Sequence, residues 1–270
     1  MRISHDPALD ACELVAFLGC RAVGGVEEVR DGAYRRSLRL PHGPGVIELR
    51  PGREGVDVEL ALADPADEPA ALAAARRLLR LDADPAAIKG RLGDDPLIGA
   101  SVRSTPGRRI PGHPDPAELA IRALLGQQIT VTAATTLAGR LVVECGEPLN
   151  RPDGALTHLF PTPAALAELQ PEALPMPRAR GRALTNLAAT LARGEPVTGE
   201  LPGIGPWTLA YIALRSGDDD AFLPTDLGVR HGLAHLGANP AHGAALAEAW
   251  RPLRGFAVAH LWAAAAAAAA

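Results

Sequence analysis

A chain of 270 residues holds one large domain or two ordinary ones, and its 47% hydrophobic and 21% charged residues are a soluble globular balance. A net charge of −4 and a pI of about 6.1 exclude a surface that is basic throughout, and by charge alone favour an enzyme acting on a small molecule. Three cysteines without CxxC spacing or clustered histidines argue against a zinc ribbon and a disulfide framework, and no apolar run is long enough for a membrane span.

Aromatic residues are only 3%, so the core must be built from Leu, Val, Ile and Ala. The basic residues are nearly all arginine; Lys89 is the sole lysine. The odd cysteine count, and an N-terminus without a basic-then-apolar leader, predict a protein of the reducing cytoplasm.

In chain order, Pro7–Phe17 reads as a short helix. Tyr34–Leu40, Val46–Arg50 and Val56–Leu62 alternate with period two, broken by Pro and Gly, which predicts an antiparallel meander. Glu68–Leu81 is helical, and Asp84-Pro85 opens another short helix. The Gly, Pro and Arg stretch from Ser104 to Pro114 reads as a linker. Asp115, Pro116 and Glu118 make a helix start with cap, first-turn proline and capping glutamate. Beyond it the chain reads as almost entirely helical, with helices over Val131–Val143, Pro163–Leu169, Arg178–Arg193, Pro206–Ser216, Leu227–Leu236 and His242–Trp250. The expected organisation is α+β: an N-terminal sheet domain over 1–104, a helical domain over 105–262, and an alanine tail over 263–270.

The segment LPGIGPW, Leu201 to Trp207, carries the chemistry. Gly203 and Gly205 flank Ile204, and Pro206 opens a helix. Such a turn exposes backbone amides that, with the positive end of the helix, hold a phosphate; it equally fits a plain corner between helices. Asp226 then starts a helix after Pro224, either as an ordinary N-cap or as a functional carboxylate.

Hairpin, helix and Pro-x-Asp in this order resemble the helix-hairpin-helix DNA glycosylase superfamily. Ala120–Ala134, with GQQIT at its centre, resembles the minor-groove segment of the 3-methyladenine DNA glycosylase II family. Phe160–Ala165, Leu174–Arg180 and Trp250–Trp262 are similar to later segments of that family, and Arg21–Glu28 with the meander is similar to its extra sheet domain, of TATA-binding-protein type. The resemblance implies a sheet domain followed by a helical glycosylase domain. It implies a monomeric base-excision enzyme that flips alkylated purines such as 3-methyladenine or 7-methylguanine out of duplex DNA and hydrolyses the glycosidic bond.

Asp226 is then the catalytic carboxylate, and Trp207, Tyr211 and Trp262 wall the base pocket; as residues alone, these aromatics also fit a core. Trp207 and Tyr211, spaced i, i+4, share a helix face. Gln127, Gln128, Gly203, Gly205 and Thr208 would meet DNA, with Gln128 filling the gap left by the flipped nucleotide, although a polar helix junction also accounts for Gln127 and Gln128. Arg178, Arg180 and Arg182 fit phosphate contacts or a solvated helix face. Carbonyls of Gly199, Leu201 and Ile204 would hold a structural Na+ or K+; the chemistry itself needs no cofactor. Bifunctional relatives carry a lysine beside the hairpin. Here that place holds Trp207, which implies hydrolysis without strand cleavage.

Three departures stand out. Residues 193–200 lack the character of the helix that normally precedes the hairpin, the first strand is short, and the C-terminus is alanine-rich. They leave a catalytically weakened, damage-binding homologue as the alternative, and the acidic pI leaves an unrelated helical metabolite enzyme as a third.

Overall fold

The computed structural model describes residues 1–52, 55–172 and 174–269. Strand β1 (Arg2–Ser4) and helix α1 (Ala11–Gly19) precede three strands, β2 (Glu27–Arg30), β3 (Ala33–Leu40) and β4 (Gly43–Pro51). Strand β5 (Gly55–Leu62) and helices α2 (Glu68–Leu79), α3 (Pro85–Leu92) and α4 (Gly99–Ser104) follow. The sheet is antiparallel, in the order β1-β5-β4-β3-β2, with Tyr34 opposite Leu49 and Leu49 opposite Val58. Alternation puts Tyr34, Leu38, Ile47, Leu49, Val56 and Val58 on one face, where α1 and α2 cover them. The expected meander is thus present, with strands slightly longer than the alternating runs.

Helix α5 (Pro116–Leu125), capped by Asp115 as the sequence predicts, leads to α6 (Val131–Cys145). A two-stranded hairpin, β6 (Glu147–Asp153) with β7 (Leu156–Leu159), corrects the expectation of an all-helical remainder. It forms because the sheet domain receives it: Ser37 Oγ donates to the His158 carbonyl at 2.7 Å, and Val46 packs against Leu149, Leu156 and Leu159. The chain continues through α7 (Pro163–Ala167), α8 (Arg178–Ala192), α9 (Pro206–Ser216) and α10 (Leu227–His235). Helices α11 (Gly243–Ala247) and α12 (Arg254–Ala269) complete it. The helix expected over His242–Trp250 is broken into α11 and flanking 3-10 turns. The alanine tail does not fray away from the fold but continues α12 to Ala269. No helix of the described residues is long and apolar enough to cross a membrane.

The stretch expected to be a linker is instead a buried strap. Arg109, Ile110 and His113 are buried, the Gly112 amide donates to the Leu78 carbonyl, and Arg215 donates to the carbonyls of Pro111 and Gly112. A side chain at Gly112 would meet the Arg77 carbonyl oxygen at 2.2 Å, so only glycine fits there. Ile88 and Leu92 of α3, Ile98 at the start of α4 and Val102 within it pack into one core with Leu233, Trp250 and Leu261.

Sheet and helices are joined by a buried ionic cluster. Arg36 on β3 pairs with Glu27 on β2 at 3.3 Å and with Glu118 on α5 at 2.7 Å; Arg122 on α5 reaches Glu27 at 2.8 Å and Glu118 at 2.9 Å. Tyr34 Oη donates to Glu27 as well. Burial alone would raise the pKa of both carboxyls. The guanidinium groups outweigh it, with help from Tyr34 for Glu27 and from His113 for Glu118, so that Glu27 titrates below its usual range and Glu118 well below. His260, buried on α12 and facing Arg108, is driven down to about 4.

These shifts set the acid limb of stability. His260 is neutral in the fold, so the unfolded chain takes up the extra proton once pH falls below the ordinary value of 6.5, and stability declines from there to about pH 4. The two carboxylates contribute fully above their unfolded value of 4.5, and their contribution is lost as pH falls below it toward their depressed folded values. Urea midpoints between pH 7 and pH 3 should show both stages, and His260→Gln should shrink the upper one, to which His113, also lowered by burial, contributes. At pH 7, Arg36→Met should cost about 3–5 kcal/mol, since it leaves two buried carboxylates with Arg122 as their one guanidinium partner; a loss below 1 kcal/mol would contradict that role for the cluster.

Candidate active site

Asp226 is the N-cap of α10, and three donors fix its carboxylate. The Val229 amide reaches Oδ1 at 3.0 Å, Trp262 Nε1 reaches Oδ1 at 2.8 Å and Trp207 Nε1 reaches Oδ2 at 3.0 Å. The cap is the ordinary one expected of an aspartate at this place. The two indoles are not: they come from α9 and α12 and meet on one carboxylate. The sequence-predicted pocket residues are therefore brought together.

Glycine makes this convergence possible. Gly228 and Gly232 lie i, i+4 on the face of α10 that meets α12. A Cβ on Gly232 would lie 2.1 Å from the Leu261 carbonyl oxygen, and one on Gly228 would lie 2.8 Å from Trp262 Cδ1. The two helices close until the Trp262 indole reaches Asp226. The G-x-x-x-G spacing was legible in the sequence as a signal of close helix approach.

Helix α9 presents Trp207, Tyr211 and Arg215 at i, i+4 and i+8. The first two rings stack, with centroids 5.2 Å apart and planes at 15°. Arg215 Nη1 donates to Tyr211 Oη at 2.9 Å. Burial opposes ionisation of the Tyr211 hydroxyl, but Arg215 and Arg21 prevail and lower its pKa. Opposite, Trp262 stacks on Phe17 of α1, with centroids 6.2 Å apart and planes at 13°. Arg21 lies over the Phe17 ring at 3.7 Å, its own pKa lowered by burial. Sequence reasoning missed Phe17, Arg21 and Arg215. Phe17 and Arg21 come from the sheet domain, far from the hairpin in sequence, and no local pattern marks them.

These groups line a cleft of about 1740 Å³, which also takes in the loop after α5 and the hairpin. Ala263 and Ala266 of the alanine run form part of its edge. Residues 193–205 contain no helix, in line with the sequence. The hairpin is held from the other side. Gln127 Nε2 donates to the Gly203 carbonyl at 2.8 Å and to Thr208 Oγ1 at 2.7 Å, and Arg180 donates to the Gln127 carbonyl at 2.8 Å. Thr208 is only 1% exposed. The side chains of half-buried Gln127 and buried Thr208, both expected at DNA, brace the hairpin at the cleft wall. Gly203, at φ 83°, needs to be glycine: a Cβ would also meet the Ala183 methyl at 2.7 Å. Gly205 caps α9 with extended backbone. Gln128 is exposed at the loop tip with φ 57°, a left-handed conformation that costs a non-glycine residue about 1–2 kcal/mol.

The carbonyls of Gly199, Leu201 and Ile204 lie in and beside the turn, and the Leu201 carbonyl accepts the Ile204 amide at 3.0 Å. Neutral backbone oxygens of this kind suit a weakly held monovalent cation. No cluster of His, Cys, Asp or Glu able to hold a metal occurs among the described residues.

Comparison with known proteins agrees with this geometry. Residues 1–115 match the AlkA N-terminal domain, and residues 121–254 match the HhH-GPD superfamily of base excision DNA repair proteins. The chain is 35% identical over 279 residues to DNA-3-methyladenine glycosylase 2 of Escherichia coli, covering 96% of this chain and 95% of that protein. It belongs to the DNA-3-methyladenine glycosylase II family. It is also 47% identical over 264 residues to a probable bifunctional transcriptional activator/DNA repair enzyme AlkA of Mycobacterium tuberculosis, covering 91% of this chain and 53% of that protein. The chain therefore spans about half the length of the mycobacterial relatives. Among solved structures, a 3-methyladenine DNA-glycosylase from Archaeoglobus fulgidus shares the fold, with a TM-score of 0.80 at 19% identity over 97% of each chain.

Within the glycosylase II family frame, Gly228 becomes a direct test of how the pocket is built. Gly228→Ala adds helix propensity of about 1 kcal/mol but puts a methyl where the Trp262 indole lies. It should leave the melting temperature within a few degrees of the parent while displacing Trp262 from Asp226, read as a shifted tryptophan fluorescence maximum. An unshifted maximum would mean that the close approach does not position the indole.

Proposed function

We propose that this protein hydrolyses the N-glycosidic bond of alkylated purines in duplex DNA and leaves an abasic site. The observation that carries the reading is the Asp226 carboxylate held by two indole N–H groups at the wall of an aromatic cleft. Family membership supports the same activity, since the Escherichia coli relative is a DNA-3-methyladenine glycosylase.

The chemistry follows from charge. As the bond between C1′ and the base nitrogen breaks, its electron pair leaves with the base and positive charge develops on the deoxyribose. A fixed anion beside that ring lowers the barrier because the attraction grows as the charge does. The Val229 amide and the two indoles hold Asp226 in place, so little reorganisation is needed during reaction. Water then adds to C1′, and its proton passes to the carboxylate or to solvent. A purine alkylated at N3 or N7 is cationic while attached and departs neutral, so no general acid is required. The stacked faces of Trp207 with Tyr211 and of Trp262 with Phe17 favour such a base, at about 0.5–2 kcal/mol per cation–π contact.

The base must leave the duplex to enter the cleft. Gln128, exposed and strained at the loop tip, would fill the vacated space. The amides of the 203–205 turn and the start of α9 would grip a phosphate near the lesion. A monovalent cation on the carbonyls of Gly199, Leu201 and Ile204 would add positive charge beside it. Lys89 sits exposed on α3 and does not line the cleft, which supports hydrolysis without a Schiff-base intermediate. The brace from Gln127 to Gly203 and Thr208 supplies the rigidity that a helix before the hairpin would give, and so favours an active enzyme over a damage-binding homologue.

Asp226→Asn should cut release of 3-methyladenine or 7-methylguanine from methylated duplex DNA by about 10²–10³-fold, while affinity for abasic-site DNA is kept. Undiminished release by this variant would remove Asp226 from the mechanism. Salt-sensitive DNA binding without any release by the parent protein would leave only the damage-binding reading.

A further inference from the structure

The loop after α5 has a cavity on each of its flanks. One flank opens to the aromatic cleft; the other opens to a groove of about 510 Å³ between α6 and residues 175–180. Ile129 and Thr130 line both. Beside apolar side chains, Thr130, Thr132, Thr136, Arg140 and Arg180 contribute hydroxyl and guanidinium groups to its lining, which includes no acidic residue. Arg140 is exposed and makes no side-chain hydrogen bond or ion pair among the described residues, although the chain as a whole is acidic. Arg178 and Arg182, exposed on the same helix as Arg180, are likewise without partners among the described residues.

We propose that this groove binds the sugar-phosphate backbone of the DNA strand opposite the lesion. The inference rests on the glycosylase reading and on the placement of the loop. A loop pushed into the minor groove separates the two strands, so its two flanks face different strands. The aromatic flank receives the flipped nucleotide, and the threonine and arginine flank is left for the intact strand. Hydroxyls and guanidiniums are the groups that hold phosphate oxygens, and they position a duplex without reading its sequence. Continuity with the cleft through Ile129 and Thr130 makes the two surfaces one footprint. The occupant is thus the undamaged partner strand rather than a separate macromolecule.

The test compares Arg140→Ala with the parent on two probes of the same sequence, each carrying a stable tetrahydrofuran abasic-site analogue: one duplex and one single-stranded. Because Arg140 is exposed and unpaired, the variant should melt with the parent. The ratio of duplex to single-strand affinity should fall roughly fivefold, and the slope of log affinity against log salt on the duplex should lose about 0.9, the loss of one phosphate contact. Equal losses on both probes would assign Arg140 to the lesion strand and overturn the proposal; so would no loss on either. Because binding to an abasic analogue needs no chemistry, the readout stands even if the parent releases no base, and the two readings fail separately.

Discussion

The position of one wall of the cleft depends on four charges at a largely buried seam. Glu27, Arg36, Glu118 and Arg122 form a cluster of two anions and two cations at the seam between the sheet and α5. Hydrophobic residues of the same volume could bury that seam with equal or greater stability, because desolvation offsets most of the attraction within such a cluster. What apolar packing lacks is direction. The guanidinium of Arg122 also donates to the Arg21 carbonyl at 2.6 Å, fixing the chain just after α1. Arg21 then covers Phe17, Phe17 stacks on Trp262, and Trp262 donates to Asp226. A sheet domain that supplies no reacting group nonetheless sets where one indole lies relative to the carboxylate.

The opposite wall is set by other means. Trp207 and Tyr211 are ordered along α9 by helix geometry alone, and the Arg215 side chain holds Tyr211 from behind while closing the strap through Pro111 and Gly112. Asp226 is therefore the meeting point of two independently positioned walls. Its ligands are neutral N–H groups, and no cation pairs with it among the described residues. That matters chemically: an ion pair would neutralise the carboxylate's field, whereas N–H donors fix its position and leave its net charge to act within the cleft, as the proposed mechanism requires.

Much of this architecture was legible in the sequence, and what was not has identifiable causes. The meander strands show a period of two because one face is buried, and Asp84, Asp115 and Asp226 announce the helices they cap. The β6–β7 hairpin does not announce itself. Glu147-Pro-Leu-Asn-Arg-Pro-Asp153 contains two prolines and no alternation, and the strand exists because β3 and the turn at Gly25 offer partners. The stretch from Arg109 to His113 reads as a linker because its composition is that of a loop; burial follows from Arg215 supplying the hydrogen bonds that water would otherwise supply. Asp226, Trp207, Tyr211 and Trp262 were found through the family's motif order. Phe17 and Arg21 were not, because they join the site through contacts between domains, and Arg215, one turn beyond Tyr211 on α9, lies outside the motif.

The acidity of the chain misleads in a similar way. Net charge sums every group, but a phosphate at a surface responds to charges within about 10 Å at 0.1 M salt. Many of the carboxylates here are matched internally: Glu27 and Glu118 in the buried cluster, Glu28, Glu48 and Asp153 around Arg35, and Asp219 and Asp220 with Arg80, Arg251 and Arg254. Arg140, Arg178 and Arg182 have no such partners among the described residues, and Arg180 makes a single bond to a neutral carbonyl. They flank the loop that carries Gln128. The charge that a nucleic acid would meet at that loop is thus the local, unmatched remainder, which is positive while the total is negative.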